Sequence, residues 1–115
     1  DALDPSVRQV VETARGFSAT DAFRAQYRLR AAQRASAALW QDVDLLMLPT
    51  APGHPRFDEV DADPLGANAV LGTYTNFVNL LGWCALALPA GFTATTLPYG
   101  VTFVAPGATD VCARM

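Results

Sequence analysis

The sequence predicts an α/β protein, and three observations carry that reading. Two stretches repeat apolar residues at helical spacing behind recognisable caps, short apolar runs are bounded by prolines, and the two kinds of segment alternate along the chain. Asp4-Pro5 opens the first helix, with Asp as N-cap and Pro at the first helical position, where its missing N–H costs nothing. Val7, Val10, Val11, Ala14 and Phe17 then share one face, and Gly16 ends the helix. Ser18, followed three residues later by Asp21, resembles a capping box and opens a longer helix to about Gln41. Its apolar stripe is Ala22, Ala25, Leu29, Ala32, Leu39 and Val43, with arginines between.

Residues 44–48 form a continuous apolar run behind Asp44, stopped by Pro49-Thr50-Ala51-Pro52-Gly53-His54-Pro55, and read as a strand covered on both faces. Residues 56–64 read as an acidic loop, and Asp63-Pro64 repeats the helix-start signature. Leu71 to Leu81 reads as one helix with a stripe of Tyr74, Phe77, Val78 and Leu81, stopped by Gly82. A second buried strand is expected over Cys84–Leu88, a turn over 92–98, and a third strand over Tyr99–Ala105. The expectation is therefore three strands and about three to four helices. Three two-sided strands need neighbours on both sheet edges, so the missing neighbours are expected in further polypeptide or in another chain.

Composition narrows the function. The apolar fraction of 51% excludes disorder, and the 17% of charged residues falls below the usual quarter or so. The net charge of −3, with arginines gathered along a helical stretch from Arg8 to Arg34, argues against a nucleic-acid partner. No apolar run reaches the ~18 residues that span a bilayer, and no basic-then-apolar leader is present, so a cytoplasmic location without membrane contact is expected. The start at Asp1 and the end at Met115 lead to the expectation that the boundaries were cut. Cys84 and Cys112 lack C-x-x-C spacing and are expected as reduced thiols in apolar surroundings.

Chemical groups are few. His54 is the single histidine and has no partner at ligand spacing, so no metal site is expected. Ser6, Ser18 and Ser36 stand singly in helix or cap positions. The acids Asp58, Glu59, Asp61 and Asp63 lack the spacing of a calcium loop and read as a solvated segment. There is no lysine anywhere in the chain.

Four patterns occur in order: Val43-Asp44-Leu45-Leu46-Met47-Leu48-Pro49-Thr50-Ala51-Pro52, Tyr74-Thr75-Asn76-Phe77-Val78-Asn79-Leu80-Leu81-Gly82, Ala85-Leu86-Ala87-Leu88-Pro89-Ala90-Gly91 and Leu97-Pro98-Tyr99-Gly100-Val101-Thr102-Phe103-Val104-Ala105-Pro106. Together they resemble the C-terminal part of the amidase signature family, with residues 1–115 as an incomplete segment of the amidase domain. Gly72-Thr73-Tyr74-Thr75-Asn76-Phe77-Val78-Asn79, Pro49-Thr50-Ala51-Pro52-Gly53-His54-Pro55 and Leu3-Asp4-Pro5-Ser6-Val7-Arg8 look like its allophanate hydrolase branch. The resemblance implies a partial amidase-signature fold, a mixed β-sheet flanked by helices. It implies hydrolysis of an amide in allophanate (urea-1-carboxylate), with release of ammonia in urea or cyanuric acid nitrogen metabolism and no cofactor.

The family's machinery is a nucleophilic serine, a bridging serine in a cis peptide and a lysine base, since a serine hydroxyl attacks poorly until a base takes its proton. These groups lie upstream of the matched region in the family, and this chain has neither the lysine nor a Ser-Ser pair. The chain alone is therefore expected to be inactive, with no catalytic residue of its own. The resemblance places Tyr74, Thr75, Asn76 and His54 at the pocket rim as candidate substrate contacts. Expected partners are a small-molecule amide in the full-length parent, the rest of the amidase domain, and a homo-oligomeric contact. Two alternatives stay open. One is another amidase signature enzyme, a general amidase or a tRNA-dependent amidotransferase subunit, although Thr73 stands where the amidotransferases carry an acidic residue. The other is a non-catalytic module that pairs through an exposed apolar sheet.

Overall fold

A computed structural model describes residues 3–107. Asp4 caps α1 (Pro5–Thr13), its carboxylate accepting from the N–H of Ser6 at 2.8 Å and of Val7 at 3.3 Å. A single 3₁₀ turn over Ala14–Gly16 closes that helix. The capping box is present at α2 (Ala19–Ser36): the Ser18 N–H donates to Asp21 Oδ2 at 3.0 Å, and the Asp21 N–H donates to Ser18 Oγ at 3.2 Å. Helical structure then tightens into a 3₁₀ segment, Ala37–Gln41.

The acidic stretch is a correction. It folds as α3 (Phe57–Ala62), because the Glu59 carboxylate reaches back to accept from the Arg56 N–H at 2.7 Å, satisfying a donor at the helix start that a reading of charge alone overlooks. Asp63 caps α4 (Pro64–Leu71) by accepting from the Gly66 N–H at 2.9 Å. The single helix expected over 71–81 is also corrected, since a turn at residues 72–75 separates α4 from α5 (Asn76–Leu81). Gly82 ends α5 in the left-handed region, φ 73°, and the Trp83 N–H closes the motif on the Val78 carbonyl at 2.9 Å.

The strands are β1 (Leu46–Pro49), β2 (Cys84–Phe92) and β3 (Pro98–Ala105), in the order β1-β3-β2 and antiparallel throughout. Leu46 pairs with Val104, and Cys84 pairs with Ala105. Strand β2 runs on past Leu88 to Phe92, because a bulge at Pro89–Gly91 absorbs the irregularity that the sequence presents as a stop. Among the described residues only β3 is paired on both edges, which leaves the outer edges of β1 and β2 open.

The buried side chains among the described residues are Thr102, Val104 and Ala105 on β3 and Val78 in α5. A small aromatic cluster joins the helices to the sheet. Trp40 and Trp83 meet edge to face at 4.7 Å, and Phe77 meets Trp83 at 5.7 Å. Gln33 adds a tie from α2 to α5, its Nε2 donating to the Leu80 carbonyl at 2.9 Å.

The rest of the apolar surface is open. Val10, Val11, Phe23, Tyr27 and Phe92 are all more than half exposed. The accessible area of 8790 Å² exceeds the roughly 6,000 Å² of a compact protein of 12.2 kDa. The radius of gyration, 17.3 Å, exceeds the ~13 Å of a compact domain of this length.

Cys84 is half of a disulfide, which corrects the expectation of a thiol there; Cys112 lies outside the described residues.

The cap at α2 makes a pH prediction. Hydrogen bonds from the Ser18 side chain and then from its backbone hold the Asp21 carboxyl below its ordinary value. A carboxyl lowered in the folded state stabilises the helix above its unfolded pKa, and the gain is lost as pH falls through the folded pKa. In a blocked peptide of residues 16–41, where Asp21 is the only acid, helicity should fall as pH drops below about 4. Ser18→Ala should shrink that fall, as followed by circular dichroism.

Candidate functional site

The site is built on the loop after β1 and on the α3–α4 pair. Pro49, Pro52 and Pro55 carry no N–H, so the loop has few donors with which to hold itself. Thr50 supplies two anchors. Its N–H donates to the Gly100 carbonyl at 3.0 Å, and its hydroxyl lies 2.9 Å from the buried hydroxyl of Thr102. Gly100 makes room for this approach, since a methyl group there would sit 2.9 Å from Thr50 Oγ1. The third anchor is His54, whose Nε2–H donates to the Pro98 carbonyl at 2.7 Å. A carbonyl can only accept, so the bond sets the tautomer.

A cleft of about 510 Å³ opens between this loop and the helices. Pro52, Gly53, His54 and Pro55 form one wall; Glu59, Asp63, Gly66, Ala67, Val70 and Leu71 form the other. The volume falls in the range of small-molecule sites. Its two carboxylates are already engaged as helix caps, Glu59 on the Arg56 N–H and Asp63 on the Gly66 N–H. Among the described residues no group of three His, Cys, Asp or Glu side chains is placed to hold a metal ion.

Of the four residues singled out in the sequence, His54 lines the cleft and the other three do not. Tyr74, Thr75 and Asn76 occupy the turn into α5, which begins just beyond Leu71, where the cleft wall ends. Tyr74 and Thr75 are half-buried and Asn76 is exposed. The turn is held by the Gly72 carbonyl, which accepts from the N–H of Thr75 at 3.0 Å and of Asn76 at 2.8 Å. The Asn76 side-chain amide folds back over Gly72, filling the space that a β-carbon would take. The Thr50–Thr102 pair is not legible in the sequence, because it joins positions 52 residues apart.

Comparison with known proteins now bears on this geometry. The Amidase family profile matches residues 2–112, and the chain belongs to that family. The chain is 43% identical over 108 residues to the urea amidolyase of Lachancea kluyveri and 39% identical over 110 residues to that of Saccharomyces cerevisiae. These alignments cover 94% and 96% of the chain and 6% of each relative. The solved allophanate hydrolase of Kluyveromyces lactis superposes with a TM-score of 0.88 at 37% identity, over 96% of this chain and 18% of that one. The chain is thus homologous to segments of allophanate hydrolase and urea amidolyase, and spans a small part of their length. The partial amidase-family fold expected from the sequence is the fold observed.

The Gly72–Asn76 contact can be tested. Gly72 has φ −79°, open to any residue, so only the clash with Asn76 opposes a larger side chain. In the full-length polypeptide Gly72→Ala should cost about 1–3 kcal/mol of stability in urea melts. Combining it with Asn76→Ala should recover most of that loss, and simple additivity would show that the contact is slack.

Proposed function

We propose that residues 1–115 are the C-terminal segment of the amidase domain of an allophanate hydrolase, one part of a longer polypeptide that cleaves an amide of allophanate and releases ammonia. The observation that carries this reading is a pairing. A segment similar to allophanate hydrolase along nearly its whole length contains no lysine and no adjacent serines. Its contribution is the sheet framework and part of the pocket rim, with Tyr74, Thr75, Asn76 and His54 as the rim residues. The nucleophile and the base belong to the rest of the domain. Loss of a complete nucleophile–base unit costs on the order of a millionfold in rate, so the chain alone is inert. The large uncovered apolar area supports the same division, since such faces are stable only when walled in.

Ammonia release measured with allophanate and with simple amides is the test. The full-length polypeptide should turn over allophanate, and the 115-residue chain should stay at the uncatalysed rate. Turnover of simple amides without allophanate would move the parent to another branch of the family, and turnover by the isolated chain would sink the reading.

We place the parent in the cytoplasm; no described helix is long and apolar enough to cross a membrane. The disulfide at Cys84 runs against that placement, because glutathione keeps most cytosolic cysteines reduced. Alkylation of the full-length polypeptide at the moment of lysis should label Cys84 only after a reductant is added. Labelling without reductant would return the parent to a reducing compartment.

A further inference from the structure

We propose that His54 is a positioning residue, whose imidazole replaces a missing ladder bond and fixes the proline-rich wall of the cleft without touching the reacting atoms. The inference rests on the reading of this chain as part of an amide hydrolase.

Strand β1 stops at Pro49, opposite Val101. The Thr50 N–H carries the pairing one residue further, onto the Gly100 carbonyl. In an extended strand, carbonyls two residues apart face the same edge, so Pro98 presents its carbonyl beside that of Gly100. No strand is left there to answer it. Among the described residues, Thr50 is the only one of 50–55 whose N–H bonds to another backbone group, and prolines at 52 and 55 have none to offer. The Nε2–H of His54 meets the Pro98 carbonyl at 2.7 Å and satisfies it. The loop is therefore pinned at both ends to β3, by Thr50 on Gly100 and by His54 on Pro98. Between these pins lie Pro52 and Gly53, which wall the cleft. With Nε2–H committed to a carbonyl, the imidazole is held as part of the scaffold.

The experiment uses the full-length polypeptide with two substitutions. His54→Leu removes the donor, and His54→Gln offers an amide N–H at nearly the reach of Nε2. With leucine, amide hydrogen exchange at Thr50, whose N–H is bonded to the Gly100 carbonyl, should rise about tenfold or more while residues 84–88 stay unchanged. KM for the amide substrate should rise about five- to tenfold with kcat within about twofold, and glutamine should restore most of both. Two results would overturn the proposal. One is a kcat loss of about a hundredfold in both variants with one limb of the pH profile gone, which marks a proton-transfer role. The other is leucine leaving both exchange and KM as in the native protein. Failure of the native polypeptide to hydrolyse allophanate would sink only the substrate reading, since the exchange comparison still decides the role of His54.

Discussion

The described chain hangs on β3, because that strand alone is hydrogen-bonded along both edges. β1 takes one edge through four paired residues and β2 takes the other through a longer, bulged ladder. The β3 side chains Thr102, Val104 and Ala105 are almost wholly removed from water, whereas β1 and β2 expose Met47, Leu88 and Phe92. The loop that walls the cleft has its attachments on the same strand, at Gly100 and Pro98. A change that shifted β3 would therefore move the sheet register and the cleft together. Changes in α1 or the outer face of α2 reach the cleft only indirectly.

The second constraint is what the helices lack. Both α1 and α2 are correctly capped and carry apolar faces, yet Val10, Val11, Phe23 and Tyr27 remain largely in water. Caps and side-chain spacing are enough to define a helix locally, but most helical stability comes from packing an apolar face. Here the packing partner is absent for most of that surface. The Trp40–Trp83–Phe77 cluster and the Gln33–Leu80 bond are the main ties of α2 to the rest.

These two constraints explain the division of chemistry. Serine-based amide hydrolysis needs a nucleophile and a base held within hydrogen-bond reach of one another on a rigid frame. This chain has a frame: a pinned loop, a capped helix pair and a cleft of small-molecule size. It lacks an amine to act as base. The two acids of the cleft, Glu59 and Asp63, are taken up by caps and its imidazole by a carbonyl, so few polar groups in the cleft keep both hydrogen-bonding capacity and freedom.

By itself the sequence determined the helix starts at Asp4-Pro5, Ser18 and Asp63-Pro64, the stop at Gly82, the existence of three strands and the kinship to the amidases. Those features depend on residues within a few positions of each other, or on order along the chain. It misjudged α3, where the bond from the Arg56 N–H to Glu59 was hidden inside a run of acids, and the end of β2, where a bulge carries the strand past Pro89. It named His54, Tyr74, Thr75 and Asn76 but gave no sign that His54 alone lines the cleft. Only the tertiary structure decided the strand order, the Thr50–Thr102 pair and the bond from His54 to Pro98. The β1–β3 pairing and both of these contacts join positions more than forty residues apart. Such pairings depend on which edge a strand leaves open once the chain has turned back on itself, a property of the assembled sheet that no local pattern of residues encodes.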